Sequence, residues 1–137
     1  MKFTSLLILL IFINSIEAET INVPDSYSTI QDAINASTDF DTVLVSAGFY
    51  QENIDFNGKN IVVTSTYIID QDSTIISSTI IDGGQNGSVV KFENNENENA
   101  IIEGFTIQNG NGYFADPDEN GTFYTYGGGI YCKGSSP

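Results

Sequence analysis

The chain has 137 residues, of which 18 are acidic and four are lysine, and its formal net charge at neutral pH is −14. It contains neither arginine nor histidine. Such a surface repels the phosphates of nucleic acids and of anionic lipids, so we expect neither as a partner. The single cysteine, Cys132, excludes an internal disulfide framework, and the length suits one modest domain.

The first 18 residues have the pattern of a secretory signal peptide. Lys2 precedes an uncharged apolar run from Leu6 to Ile13, which is too short to span a bilayer. We expect cleavage after Ala18 and therefore a secreted or cell-surface protein that is not inserted in a membrane afterwards. An uncleaved anchor is the alternative interpretation.

One helix is predicted, over residues 28–36. Ser28 and Gln31 have the spacing of a capping box. The helical period is lost after Asp41, and no later helix is predicted. Four apolar residues would share one face of the helix: Tyr27, Ile30, Ala33 and Ile34.

The rest of the chain consists of short apolar runs rich in Val, Ile and Phe, which predict short strands. The segments AGFYQE, NGK, GGQNG and ENNENEN between them are predicted to be corners. The predicted strands are TVLVS (42–46), NIDF (53–56), NIVVTS (60–65), TIID (79–82), VVKF (89–92), AIIEGFTIQN (100–109) and GIYC (129–132).

The runs recur as a triplet of strands followed by a longer excursion, at 66–78 and again at about 110–127. Such a repeat is typical of a solenoid, here a parallel β-helix with two coils and the start of a third. Because its lower end would be an unpaired edge, we expect the protein to continue past Pro137. The residues predicted to point inward are Val43, Val45, Ile54, Phe56, Ile80, Val90, Phe92 and Ile107.

Four segments carry a family resemblance: TIQDAINASTDFDTVLVSAGFYQENIDFNGKNIVVTS, TIIDGG, IIEGFTIQNG and GGGIYCKGSSP. In this order they resemble the N-terminal part of secreted proteins of the pectin-lyase-like group. The resemblance covers residues 20–137 and implies an all-β, right-handed parallel β-helix solenoid with a short N-terminal capping α-helix. The domain scheme is then a signal peptide (1–18), a cap with the helix (19–41) and β-helix coils (42–137).

The resemblance does not define an activity, because the group includes lyases, hydrolases, esterases, adhesins and surface proteins of no known activity. Its enzymes combine acidic side chains with arginine, histidine or lysine, and this chain, which lacks the first two, completes none of those sets. A glycosidase needs only two carboxylates, but 17 acidic residues after Ala18 make some such pair almost inevitable. We therefore assign no catalytic and no cofactor-binding residue.

The segment DPDENGT contains the first half of a calcium-loop pattern. Asp116, Asp118 and Asn120 alternate and are followed by Gly121, so their oxygens can converge on one ion. The twelfth position is Gly127 rather than a bidentate glutamate, and no flanking helix is predicted. A calcium site and an acidic exposed turn both remain open interpretations.

The same excursion is rich in aromatic residues, which suit contact with a glycan because a pyranose face stacks on a ring. The alternative is that the rings cover the side of the solenoid as a satellite cluster. If both excursions leave from the same corner, they share one face, and that face is the predicted contact surface. The aromatic residues are Tyr113, Phe114, Phe123, Tyr124 and Tyr126.

The sequence thus favours a secreted, non-catalytic β-helix module with a surface, adhesion or glycan-contact role, and a polysaccharide or cell-surface glycan as its partner. The other interpretation is the N-terminal part of a polysaccharide lyase or glycoside hydrolase whose catalytic coils follow Pro137. Export, the strand repeat and the acidic surface fit both, whereas the missing basic side chains favour the first.

Overall fold

The computed structural model describes residues 17–114 and 125–137, and over these ranges the chain forms mostly short strands with three short helices. The prediction of a β-rich chain is confirmed. In chain order the elements are β1 (Thr20–Val23), α1 (Ile30–Ala36), β2 (Thr42–Val45), β3 (Gly48–Gln51), β4 (Ile54–Asp55), β5 (Val62–Ser65), α2 (Tyr67–Asp70), α3 (Ser73–Ser78), β6 (Thr79–Asp82), β7 (Val90–Phe92), β8 (Ile101–Glu103), β9 (Thr106–Gln108), β10 (Tyr113–Phe114), β11 (Thr125–Tyr126) and β12 (Ile130–Cys132).

Three parallel sheets contain all the strands except β10 and β11. The first sheet has the order β1-β2-β5-β8, the second β3-β6-β9 and the third β4-β7-β12. From β2 onward the chain visits the first, second and third sheets in that order, three times over. We call each such passage a round; every strand pairs with the equivalent strand of the neighbouring round. β10 and β11 form a separate antiparallel pair.

The core is built from columns of apolar side chains that the strand register aligns. In the first sheet Val43 lies opposite Ile21 and Val63. In the third sheet the rings of Phe56 and Phe92 have centroids 4.3 Å apart. Full burial of each such side chain contributes about 1.5–3 kcal/mol, so the columns are the main source of stability.

Six of the eight residues predicted to point inward are buried, and Ile107 is partly buried against the core. Ile80 was predicted to point inward, and that prediction is wrong. Its neighbour Ile81 is 0% exposed, and Ile80 is only half-buried, on the opposite side of the strand. The segment TIID has two adjacent isoleucines, so alternation does not reveal which one faces the core, and a one-residue shift reverses the strand.

The predicted order of three strands followed by an excursion is also wrong. The segment AGFYQE, predicted to be a corner, contains β3, and the excursion at 66–78 contains α2 and α3 although no helix was predicted after Asp41. Neither helix has a buried residue, so no apolar stripe marks them in the sequence. As a result the two excursions fall inside rounds instead of between them.

The first helix forms close to where it was predicted, but its cap differs. The N-cap is Thr29, whose hydroxyl accepts a hydrogen bond from the Asp32 N–H at 3.1 Å. The Gln31 side chain is not part of a capping box, because its amide bonds the N–H and C=O of Asp55 at 2.7 and 3.1 Å. Gln31 therefore connects α1 to β4.

Two charged side chains from the first round hold the ends of α1. The Glu52 carboxylate accepts from the N–H groups of Ile30 and Gln31, both at 3.0 Å. At the other end Lys59 Nζ donates to three carbonyl oxygens, those of Ile34, Asn35 and Ser37, at 2.6–2.8 Å. A negative group at the N-terminus and a positive one at the C-terminus both match the helix dipole.

Candidate functional site

The second sheet presents its side away from the core as an ordered surface, which we call the outer face. Tyr50, Ile81 and Ile107 point to the core, so the residues that alternate with them lie on the other side. The parallel register aligns these residues into two columns. One column is Phe49, Ile80 and Thr106, and the other, called the polar column, is Gln51, Asp82 and Gln108.

Phe49 is the exposed aromatic residue of this face, with 60% of its surface accessible. It alternates with Tyr50, whose ring turns towards the core and whose hydroxyl donates to the Ser46 carbonyl at 2.9 Å. Gly48 allows this arrangement, because a Cβ there would lie 3.2 Å from the Tyr50 ring. The local sequence thus packs the Tyr50 ring against the core and leaves the Phe49 ring in solvent.

Asp82 is at the centre of the polar column and is only 6% exposed. Its carboxylate accepts hydrogen bonds from Gln108 Nε2 at 2.8 Å, Asn109 Nδ2 at 2.7 Å and the Gly84 N–H at 2.8 Å. The Gln108 amide, together with Gly84 and Asn109, lowers the pKa of Asp82 below its usual value. Asp82 is therefore a fixed anion at neutral pH.

Both excursions border the second sheet, although they leave from different corners. The first, with α2 and α3, comes directly before β6, and its α3 reaches the outer face where the Thr106 hydroxyl donates to the Ile76 carbonyl at 2.9 Å. The second begins after β9 and starts with β10. The outer face consequently lies between an insertion at the start of its strands and another at their end.

A shallow groove of about 370 Å³ lies beyond the C-terminal ends of β6 and β9 in the second sheet. In it the Gly87 N–H donates to Asn111 Oδ1 at 2.6 Å, and Lys91 Nζ lies 3.9 Å from an Asp55 oxygen and 3.4 Å from a Glu93 oxygen. Two carboxylates thus compensate the one lysine. The lining residues are Gln85, Asn86, Gly87, Ser88, Lys91, Asn111 and Gly112.

Most of the residues that the sequence nominated for a site lie in or beside the undescribed range 115–124. The proposed calcium ligands Asp116, Asp118 and Asn120 lie outside the described residues, as do Phe123 and Tyr124. Of the other aromatic residues, Tyr113 and Phe114 form β10, and the exposed Tyr126 in β11 lies opposite Tyr113. Within 17–114 and 125–137, no group of three or more acidic, cysteine or histidine side chains is arranged to hold a metal ion.

The outer face was missed because β3 was interpreted as a corner. The number of residues between strands of the first and second sheets could have revealed β3. Two residues separate β2 from β3, at 46–47, and two separate β8 from β9, at 104–105. Applying the second spacing to the first round would have placed GFYQ in the second sheet, with Phe49 and Gln51 on one side of it.

Taken together, the fold and the outer face define a β-rich protein of three parallel sheets with an exposed aromatic and amide surface. Comparison with known proteins adds no closer identity: no family model, no curated protein and no solved structure matches the chain. Among the helices of the described ranges, none is long and apolar enough to cross a membrane.

Proposed function

We propose that the protein is an exported, non-catalytic module, built as a right-handed parallel β-helix of the pectin-lyase-like kind, that binds a glycan at a cell surface or outside the cell. Three rounds in the same sheet order, with parallel in-register pairing between rounds, support the β-helix. The signal-peptide pattern of residues 1–18 supports export.

The outer face of the second sheet carries the binding proposal. An exposed Phe49 beside a column of two amides and a carboxylate combines the two contacts that a sugar needs. The apolar face of a pyranose packs on the ring, while amides and carboxylates bond its hydroxyl groups. Amides, aromatic rings and a few fixed polar groups are also what small-ligand sites generally use.

The chemistry of this face favours binding over catalysis. A glycosidase needs a carboxylic acid that keeps its proton near neutral pH, which requires a raised pKa. The pKa of Asp82 is instead lowered, and three hydrogen-bond donors occupy its oxygens. Lys91 in the adjoining groove lies 3.9 Å from an Asp55 oxygen and 3.4 Å from a Glu93 oxygen, so two carboxylates engage it.

The direct test is to incubate the purified full chain with a panel of neutral and acidic polysaccharides and to measure both binding and product release. We expect retention on at least one immobilised glycan with no new reducing ends and no unsaturated products. Release of cleaved product by the wild-type chain would refute the non-catalytic role. Retention on none of the panel would refute glycan binding.

Calcium at Asp116, Asp118 and Asn120 is a separate proposal, and the sequence pattern alone supports it. We expect millimolar Ca²⁺ to raise the melting temperature of the wild-type chain and not that of the Asp116→Ala variant. Glu98→Ala, at an exposed acidic residue outside the loop, is the control. No melting shift in the wild-type chain would refute a calcium site.

A further inference from the structure

Asp82 fixes the orientation of two side-chain amides on the outer face. The amide nitrogens of Gln108 and Asn109 both donate to Asp82 Oδ2, while Asp82 Oδ1 accepts from the Gly84 N–H. An ionised carboxylate can only accept hydrogen bonds, so the NH₂ group of each amide has to face it. The two amide carbonyl oxygens are therefore turned away from Asp82.

Asp82 leaves two oriented hydrogen-bond acceptors on this face. They are the carbonyl oxygens of Gln108 and Asn109, whose NH₂ groups each give one N–H to Asp82. The second N–H of each group and the Gln51 amide add donors beside these oxygens. Sugar hydroxyl groups can donate to these oxygens. A sugar carboxylate or sulfate cannot donate, and the Asp82 charge repels it.

No compensating cation is available in the adjoining groove. Its lysine, Lys91, already lies within 4 Å of Asp55 and Glu93 oxygens, so its charge is balanced. The whole chain carries a net charge of −14, which adds to the repulsion of an anionic polymer at low salt. Stacking on Phe49 alone would allow both neutral and acidic glycans to bind. The negative charge of the protein therefore disfavours the acidic ones.

The spacing of the polar column also matches an extended saccharide. Gln51, Asp82 and Gln108 lie on neighbouring strands in register, about 4.8 Å apart, which is close to the length of one pyranose unit. Three strands span about 10 Å between the outer two, so roughly two or three sugar units fit across them. Such a chain would run perpendicular to the strands.

On the basis of the proposed glycan-binding function, we infer that the outer face selects a neutral, hydroxyl-rich saccharide over an acidic one. The saccharide lies across β3, β6 and β9, with one ring on Phe49 and its hydroxyl groups donating to the oxygens that Asp82 orients. Asp82 is a positioning residue in this arrangement, since it acts through Gln108 and Asn109.

The test is a calorimetric titration of the full chain with linear neutral hexasaccharides of glucose, mannose and galactose, and with hexagalacturonic acid. The variants are Phe49→Ala, Asp82→Asn and, as a matched control, Phe40→Ala. Phe40 is 62% exposed, much as Phe49 is, but lies in the turn before β2. Circular dichroism verifies that each variant is folded.

We expect a neutral hexasaccharide to bind more tightly than hexagalacturonic acid. Phe49→Ala should weaken neutral binding roughly tenfold, as expected for the loss of one stacked ring. Phe40→Ala should change it by less than about twofold. Asp82→Asn removes the charge and places an NH₂ group opposite either the two amides or the Gly84 N–H, so the amides are no longer held as in the wild type. It should weaken neutral binding and also reduce the preference over the acidic ligand.

The outcomes separate this inference from the function on which it rests. Binding to none of the four ligands refutes the proposed function and the inference together. Tighter binding of hexagalacturonic acid refutes the inference and leaves glycan binding in place. Neutral binding that Phe49→Ala leaves unchanged also refutes it, because the site is then elsewhere. If Phe49→Ala does not fold, Gln108→Ala, at an exposed residue, replaces it under the same criterion.

Discussion

Glu96 connects three successive rounds at one corner, and replacing it should destabilise the protein strongly. The side chain is 1% exposed. Its carboxylate accepts from the Gly58 N–H at 2.8 Å, the Asn94 N–H at 2.9 Å and the Ser135 hydroxyl at 2.6 Å. Gly58 follows β4, Asn94 lies in the corner after β7, and Ser135 follows β12, so each round supplies one of the three donors. The perturbation we propose is Glu96→Gln, which keeps the shape and removes the charge.

The expected loss follows from the hydrogen bonds. Glutamine has one carbonyl oxygen, so its NH₂ group has to face either the Gly58 N–H or the Asn94 N–H, and one of these donors loses its acceptor. An unsatisfied buried donor costs about 1–3 kcal/mol, and the remaining bonds lose the contribution of the charge. The total is about 2–4 kcal/mol, a large share of a typical stability of about 5–15 kcal/mol.

The same variant predicts a pH effect. Burial by itself would raise the pKa of Glu96, but the donors from Ser135, Asn94 and Gly58 outweigh it and lower the pKa. A lowered pKa in the folded state gives stability that is present above the pKa of the unfolded chain, near 4.3, and is lost as the pH falls through the folded pKa. The difference between wild type and Glu96→Gln should therefore shrink below about pH 4.

Urea unfolding followed by circular dichroism at pH 7 and at pH 3.5 measures both effects. Glu98→Gln is the control, because Glu98 is exposed in the same stretch and its replacement should stay within about 0.5 kcal/mol. A Glu96→Gln variant as stable as Glu98→Gln at pH 7 would show that the corner does not hold the rounds together. A difference that stays constant with pH would refute the role of the charge.

Three further predictions test the register, one turn and a second carboxylate. Ile81→Ala should cost about 2–5 kcal/mol in urea unfolding and Ile80→Ala less than 1.5 kcal/mol, since only Ile81 leaves a cavity; equal costs would contradict the register. Gly104→Ala should cost more than Gly87→Ala, because both glycines have positive φ (80° and 85°) but a Cβ at position 104 would meet a side chain; the reverse order would contradict the packing. Burial alone would raise the pKa of Asp41, but its hydrogen-bond donors lower it, so ionised Asp41 stabilises the fold and this contribution is lost in acid. The Asp41→Asn variant should therefore lose less stability than the wild type between pH 5 and pH 3, and an equal loss would contradict this.

The sequence allowed most of the buried strands to be predicted. The segments around Val43, Ile54 and Val90 are short apolar runs bounded by polar residues, and burial against the neighbouring rounds keeps them in place. The helix was also predictable, because Ile30 and Ile34 recur at the helical period and face the core. These features depend on local patterns of side chains.

The features that were missed depend on contacts between residues far apart in the sequence. The Glu52 and Lys59 side chains hold α1 from 21 to 25 residues away, and the Glu96 carboxylate is bonded from 38 and 39 residues away on either side. No local pattern distinguishes these charges from the other surface charges. Asp82 was missed for the same reason, since its partners Gln108 and Asn109 follow a full round later.

The proposed function requires that the outer face of the second sheet contacts a glycan. The most direct measurement is a nuclear magnetic resonance titration of the side-chain amide signals with the neutral hexasaccharide that binds best. The largest shifts are expected at Gln51, Gln108 and Asn109, while the amides of Gln31 and Asn35 on α1 stay unchanged. Shifts concentrated on α1, with none on the outer face, would show that the glycan does not bind at the outer face.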